Sequence, residues 1–244
     1  INPKDVTVTV NDASKVYGTA DPAFSGTVTG LVAEGDLGEV SYSRTNSSVN
    51  DAGTYPGVLT AAYTDNDNYT VTVNKGKFTI TAASTMTVSA ENVAKTYDGT
   101  SYGVTASSNV ADATIKYWNE STSAYDLDDS PAIADVSDSE LTVKFQASHQ
   151  NYVTATGQAT VTINPKDVTV TVNDASKVYG EDDPAFTGTV AGLIGSDSID
   201  PVYSRTNSDE NVGTYADVLT ASYTANSNYT VTVVPGDFTI TAAT

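Results

Sequence analysis

Residues 1–18 read INPKDVTVTVNDASKVYG, and residues 163–180 read the same. Within this stretch Val6, Val8 and Val10 alternate with Thr7 and Thr9. A period of two places the valines on one face of a strand and the threonines on the other. β-branched threonine suits a strand, and its hydroxyl keeps the outer face wet. The same alternation recurs in NYTVTV (68–73) and FTITA (78–82), and again in NYTVTV (228–233) and FTITA (238–242). No segment carries a 3.6-residue apolar stripe. Turn residues interrupt the strands about every ten residues, as in sandwiches and barrels.

Outward from this stretch, the two copies keep matching. Asp21-Pro22-Ala23-Phe24 returns as Asp183-Pro184-Ala185-Phe186, and Tyr42-Ser43-Arg44-Thr45-Asn46 as Tyr203-Ser204-Arg205-Thr206-Asn207. Gly53-Thr54-Tyr55 returns as Gly213-Thr214-Tyr215. A weaker relative lies between them: Lys95-Thr96-Tyr97-Asp98-Gly99 parallels Lys15-Val16-Tyr17-Gly18, and Asn151-Tyr152 parallels Asn68-Tyr69. The order is A–B–A′ with units of about 80 residues, which predicts domains at 1–82, 83–162 and 163–244. The first and last residues fall on unit boundaries, so the expectation is a segment of a longer array.

The predicted fold is all-β: three tandem small β-sandwich domains of Ig-like type. Asp51-Ala52-Gly53-Thr54-Tyr55 predicts a tyrosine corner of the kind that precedes strand F in such domains. The alternative is a small β-grasp-like domain with one short helix, for which GLVAEGD (30–36) is the place. Junctions 78–88 and 159–168 contain no Gly/Ser-rich linker, and Pro165 stiffens the second. An elongated rod with a length on the order of 100 Å is expected.

The charge excludes several classes of partner. Thirty acidic residues against eleven basic ones leave −19, a field that repels nucleic-acid backbones and anionic membranes. With no cysteine there is no disulfide, thiol nucleophile or thiolate metal site. His149 is the only histidine. Neighbouring Ser148 points to the opposite face of a strand, and no G-x-S-x-G elbow is present. No enzyme is expected.

The sequence offers three other kinds of site. Calcium would find oxygen ligands at Asp65 and Asp67 or at Asp126, Asp128 and Asp129. However, Asp65-Asn66-Asp67-Asn68 becomes Ala225-Asn226-Ser227-Asn228 in the twin unit, so turn formation is the better reading and no cofactor is expected. Trp118, beside Tyr125, alternates with Tyr117 and so faces outward if Tyr117 is core. An exposed tryptophan would stack on a sugar or anchor a protein partner. Lys15, Lys95 and Lys177 recur two residues before a tyrosine. The readings are a stem lying over the ring or a Lys–Asn isopeptide cross-link.

Units A and A′ resemble MBG-type repeats through KVYG, DPAF, GTY and NYTVTV…FTITA. Unit B resembles a YDG-type domain through Tyr97-Asp98-Gly99. The resemblance implies a long, repetitive bacterial surface protein and carries over no catalytic residue. It implies a structural stalk or spacer of an adhesin that projects a distal adhesive domain. The alternative is a glycan-, mucin- or matrix-protein-binding module with its site in the middle domain. The location implied is the bacterial cell surface, with signal and anchor outside residues 1–244. Expected partners are the neighbouring repeats, in a monomer, with a host glycan or matrix protein as the alternative partner.

Overall fold

The structure, a computed structural model, describes residues 2–244. Ile1, where the first expected domain begins, lies outside the described residues. In the first repeat the strands are β1 (Lys4–Val10), β2 (Ala13–Val16), β3 (Gly26–Thr29), β4 (Ser41–Arg44), β5 (Gly53–Ala62), β6 (Tyr69–Asn74) and β7 (Gly76–Thr81). They form a three-stranded sheet, β3-β1-β6, and a four-stranded sheet, β2-β7-β5-β4. β1 runs parallel to β6, with Val6 opposite Val71 and Val8 opposite Val73. β2 runs parallel to β7.

The alternation in KDVTVTV does what the sequence predicts. Val6, Val8 and Val10 are buried at 1%, 0% and 4% exposure. Val6 and Val8 pack with Leu37, and Val10 with Leu59, Phe78 and Ile80. Tyr42, Ala61 and Val73 touch both groups. The two sheets therefore share one core, which is a β-sandwich. Gly26 on β3 admits no side chain, because a Cβ there would meet the Tyr42 ring at 2.4 Å and the Thr9 carbonyl at 2.5 Å.

The last repeat reproduces this arrangement with β15 (Lys166–Val172), β16 (Ala175–Val178), β17 (Gly188–Ala191), β18 (Val202–Arg205), β19 (Gly213–Ser222), β20 (Tyr229–Val234) and β21 (Gly236–Thr241), in sheets β17-β15-β20 and β16-β21-β19-β18. Between the repeats, β8 (Val88–Ser89) pairs with β10 (Ser107–Ser108). β12 (Ala124–Leu127), β11 (Thr114–Asn119), β13 (Leu141–His149), β14 (Tyr152–Asn164) and β9 (Val93–Thr96) form one five-stranded sheet in that order. Phe145 on β13 and Val161 on β14 are fully buried.

No α-helix occurs among the described residues, and the only helical element there is a 3-10 turn at Val136–Asp138. The β-grasp alternative fails at its chosen place: 30–36 is a series of turns. Gly30 and Gly35 sit at φ of +98° and +90°, outside the helical region. Among the described residues no helix is long and apolar enough to cross a membrane.

The chain divides into two compact units. One holds the residues up to Val88 together with Ser107–Lys116 and Phe145–Gly157; the other holds Ser89–Ala106, Tyr117–Lys144 and Gln158–Thr244. The middle segment is thus shared: one part belongs with the first repeat and the rest with the last.

Candidate functional site

The corner predicted at GTY is present. The Tyr55 hydroxyl donates to the Asp51 carbonyl at 2.7 Å, and Tyr215 donates to the Asn211 carbonyl at 2.8 Å. By holding the loop that opens β5, the corner presents the Asp51 carboxylate and the Ala52 N–H side by side. Asn151, from the β13–β14 turn of the middle segment, meets both. Its Nδ2 donates to Asp51 Oδ1 at 2.9 Å, and its Oδ1 accepts from Ala52 N–H at 2.7 Å. Both ends of a side chain only 4% exposed are satisfied, which is the condition for burying an amide.

The second unit repeats the device with different elements. Asn228, just before β20, donates to Asp135 Oδ1 at 2.8 Å and accepts from Val136 N–H at 2.8 Å. The tyrosine after each asparagine completes the contact. Tyr152 packs edge-on against Tyr17 with ring centroids 5.4 Å apart, and Tyr229 against Tyr97 at the same separation. Edge-on aromatic pairs contribute about 0.5–1.5 kcal/mol beyond their buried area. The motifs that mark the repeats, Y-G and N-Y, are therefore the two halves of a contact. Their recurrence in all three segments was the available signal, but nothing in it paired one with the other.

Tyr97 and Tyr229 both donate to Asp197 Oδ2, at 3.0 and 2.6 Å. Burial, and then the Asp197 carboxylate, push the Tyr229 phenol up from 10.0 to about 12. The Tyr97 phenol is raised by the same causes in the same order. A phenol whose folded pKa exceeds its unfolded one stabilises fully below the unfolded value and loses that contribution as pH rises through the folded one. This contribution should therefore be intact below pH 10.0 and vanish on approach to about pH 12. Following tyrosinate absorbance against pH checks this. Asp197→Asn should lower the last, most alkaline titration step, and an unchanged step would reject the Asp197 contact.

Beside each Y-G turn lies a cluster of ion pairs. Arg44 bonds Asp21 bidentately, Nε to Oδ2 at 2.9 Å and Nη2 to Oδ1 at 3.2 Å. Lys15 reaches Asp21 at 2.8 Å and Asn50 Oδ1 at 3.2 Å. In the last repeat Lys177 and Arg205 share Asp183 and Glu210. These lysine heads go to carboxylates, whereas Lys95 lies 5.5 Å from the centre of the Tyr102 ring. Burial raises the Asp21 carboxyl, but the Lys15 hydrogen bond and the charges of Arg44 and Lys15 outweigh it and hold it below its ordinary 3.8. Where the first repeat has Asn50 beside Lys15, the twin repeat has Glu210 beside Lys177. The cluster is an electrostatic pin.

The other anticipated residues are scattered. Trp118 is half-buried on β11, edge-on to Tyr125 at 5.1 Å and with the Lys144 ammonium 5.5 Å from its ring centre. Tyr117 is buried, and the pairing with β12 shifts register between Tyr117 and Trp118. The Trp118 indole N–H is buried without a hydrogen-bond partner. Asp65 and Asp67 are exposed beside a shallow cleft with Asn66. Asn66, not the aspartates, shapes that turn: its Oδ1 accepts from Asn68 N–H, as Asn226 Oδ1 does from Asn228 N–H. Asp126 accepts from the Thr122 hydroxyl at 2.7 Å, and Asp128 and Asp129 are exposed. No three His, Cys, Asp or Glu side chains gather as a metal site among the described residues. His149 accepts from Asn151 N–H through Nδ1 and packs on Tyr152.

Paired sandwiches whose repeat motifs meet as contacts define a tandem β-sandwich repeat protein. The family described as the MBG domain (YGX type) matches residues 6–79 and 168–239, more than half of the chain, and the chain belongs to it. No curated protein matches. Among solved structures the chain is similar to an I-band fragment from titin, at 10% identity over 99% of this chain and 98% of that one, with a TM-score of 0.34. It is also similar to the human desmocollin-1 ectodomain, at 13% identity over 99% of this chain and 60% of that one, TM-score 0.29. The third is protocadherin gamma B7 cadherin domains 1–4, at 10% identity over 93% and 69%, TM-score 0.31. The fold assignment rests on the sheets described above and not on these likenesses.

Proposed function

We propose that this chain is a non-enzymatic structural spacer of a bacterial cell-surface adhesin that holds a distal adhesive domain away from the cell. In this reading residues 1–82, 83–162 and 163–244 are its three domains, the middle one of YDG type, and the protein works outside the cell. The observation that carries the reading is the use of Asn151 and Asn228. Buried, doubly bonded amides couple each segment to the next, as a spacer held under tension requires and a flexible linker does not. The distinctive polar side chains (His149, Lys177, Arg44, Asn151, Asn228) are all engaged in contacts within the fold.

A second reading has one observation in its favour. Trp118, half-buried with Tyr125 and Lys144 against its ring, is the aromatic platform of this reading, for a glycan, mucin or matrix protein. The experiment is a glycan and matrix-protein binding array with the whole chain, with and without calcium. No binding in either condition supports the spacer. Binding that Trp118→Ala removes assigns recognition to the middle segment. Binding present only with calcium, and lost on replacing Asp65 and Asp67 or Asp126, Asp128 and Asp129 by asparagine, assigns a calcium site to that group.

A further inference from the structure

The first and last repeats each expose one half of the contact that joins the segments inside each unit. In the last repeat the asparagine-tyrosine half is engaged, and Asn228 and Tyr229 are 8% and 7% exposed. In the first repeat Asn68 is exposed and Tyr69 half-buried, yet the internal bonding is the same. Asn68 N–H donates to Asn66 Oδ1 at 3.1 Å, and Asn228 N–H to Asn226 Oδ1 at 2.9 Å. Lys4 N–H donates to the Asn68 carbonyl at 2.8 Å, and Lys166 N–H to the Asn228 carbonyl at 2.9 Å. Val32 N–H donates to the Tyr69 hydroxyl and Ile194 N–H to that of Tyr229, both at 3.0 Å. The Tyr69 hydroxyl donates in turn to Asp36, as Tyr229 does to Asp197.

The backbone and tyrosine hydroxyl of the free half thus already bond as in the engaged one, which cuts the ordering cost of binding. A cleft lined by Pro3, Lys4, Val32, Asn68 and Tyr69 opens there, beside the ring whose counterpart carries Tyr97. Val32 is 75% exposed, whereas its counterpart Ile194 is half-buried, with Cγ2 3.5 Å from a Cβ built on Gly99.

The loop half is engaged in the first repeat and exposed in the last. Tyr17 and Ala52 are half-buried, but their counterparts Tyr179 and Val212 are 53% and 56% exposed. The Tyr215 corner holds Asn211 where the Tyr55 corner holds Asp51. The side-chain oxygen of Asn211 accepts an amide N–H as the Asp51 carboxylate does.

We propose that Tyr179, Asn211 and Val212 of one copy receive Val32, Asn68 and Tyr69 of a second copy, so that copies of residues 1–244 associate head-to-tail through the contact used internally. The two halves are different surfaces, so the contact is heterologous, and each added copy brings a fresh half of each kind. Inside the chain the tether supplies an effective concentration in the millimolar range. Between copies no tether helps, and a charge of −19 on each opposes approach. The protein is then a monomer when dilute, associates toward about 1 mM, and does so more readily as salt screens the repulsion.

Sedimentation of the whole chain from about 10 µM to about 1 mM tests this. The weight-average mass should rise with concentration and with salt. Asn68→Ala, at an exposed position, and Tyr179→Ala combined with Val212→Asp should each stay monomeric throughout, with circular dichroism unchanged. An equimolar mixture of the two variants retains one loop half and one asparagine-tyrosine half on different copies, so it should reach a dimer and stop there. A native chain that stays monomeric at the highest concentration overturns the proposal. So does association that survives in either variant, or a mixture that fails to dimerise.

Discussion

Phe78→Ala should cost about 3–5 kcal/mol of folding stability, the range for emptying a large buried aromatic site. Phe78 on β7 is 0% exposed and packs with Val10, Leu59 and Ile80. Phe24 meets it edge-on at 5.7 Å, and the Arg44 guanidinium lies 4.6 Å from its ring centre. Truncation leaves a cavity among side chains that cannot collapse into it, and it strips the aromatic floor from a buried cation. A domain's whole stability is about 5–15 kcal/mol, so a large share is lost. The denaturant midpoint should fall while the slope stays constant. Phe24→Ala, at a half-buried position, should cost clearly less; equal losses would show that Phe78 is not the centre of this core. Phe238→Ala should act on the other unit in the same way, since Phe186 and Arg205 meet that ring at 5.7 and 4.8 Å.

Arg44→Ala comes next, at about 3 kcal/mol. Removing one partner of a buried ion pair costs about 3–5 kcal/mol, and the lower end applies because the Asp21 side chain keeps 27% exposure. The Arg44 side chain is only 2% exposed and also donates to the Val49 and Ser47 carbonyls at 2.7 and 3.2 Å. Its loss leaves those oxygens and one face of Asp21 without their donor. The loss should also depend on pH in a definite sense. Asp21 has its folded pKa depressed, so its contribution is present above the unfolded value of 3.8 and disappears as pH falls through the lower folded value. The gap between native and Arg44→Ala midpoints should therefore be widest near neutral pH and narrow in acid. A gap that does not change with pH would mean that Arg44 stabilises by packing on Phe78 alone.

Much of this was readable before any fold was known. Val6, Val8 and Val10 announced a half-buried strand through their spacing, and Gly53-Thr54-Tyr55 announced the corner, because both depend on neighbours within a few residues. The helix considered at 30–36 was not found, because its glycines take φ values that a helix excludes. The lysines at 15 and 177 looked like covers for the tyrosines two residues on. The spacing did not say where their heads go, which is to Asp21 and Asp183, since a buried ammonium needs a countercharge.

The order of repeats, the strand periods, the acidity and the absence of thiol or histidine clusters belong to the sequence alone, since each is a local or additive property. The destination of Asn151 does not. Its partners Asp51 and Ala52 lie 100 and 99 positions away, and an asparagine in a turn looks the same whether its amide faces water or a partner loop. Only folding, which brings the corner of one segment against the turn of the next, decides that Asn151 and Asn228 are buried while Asn68 stays exposed. Burial depends on what chain packs opposite, and no local pattern encodes that.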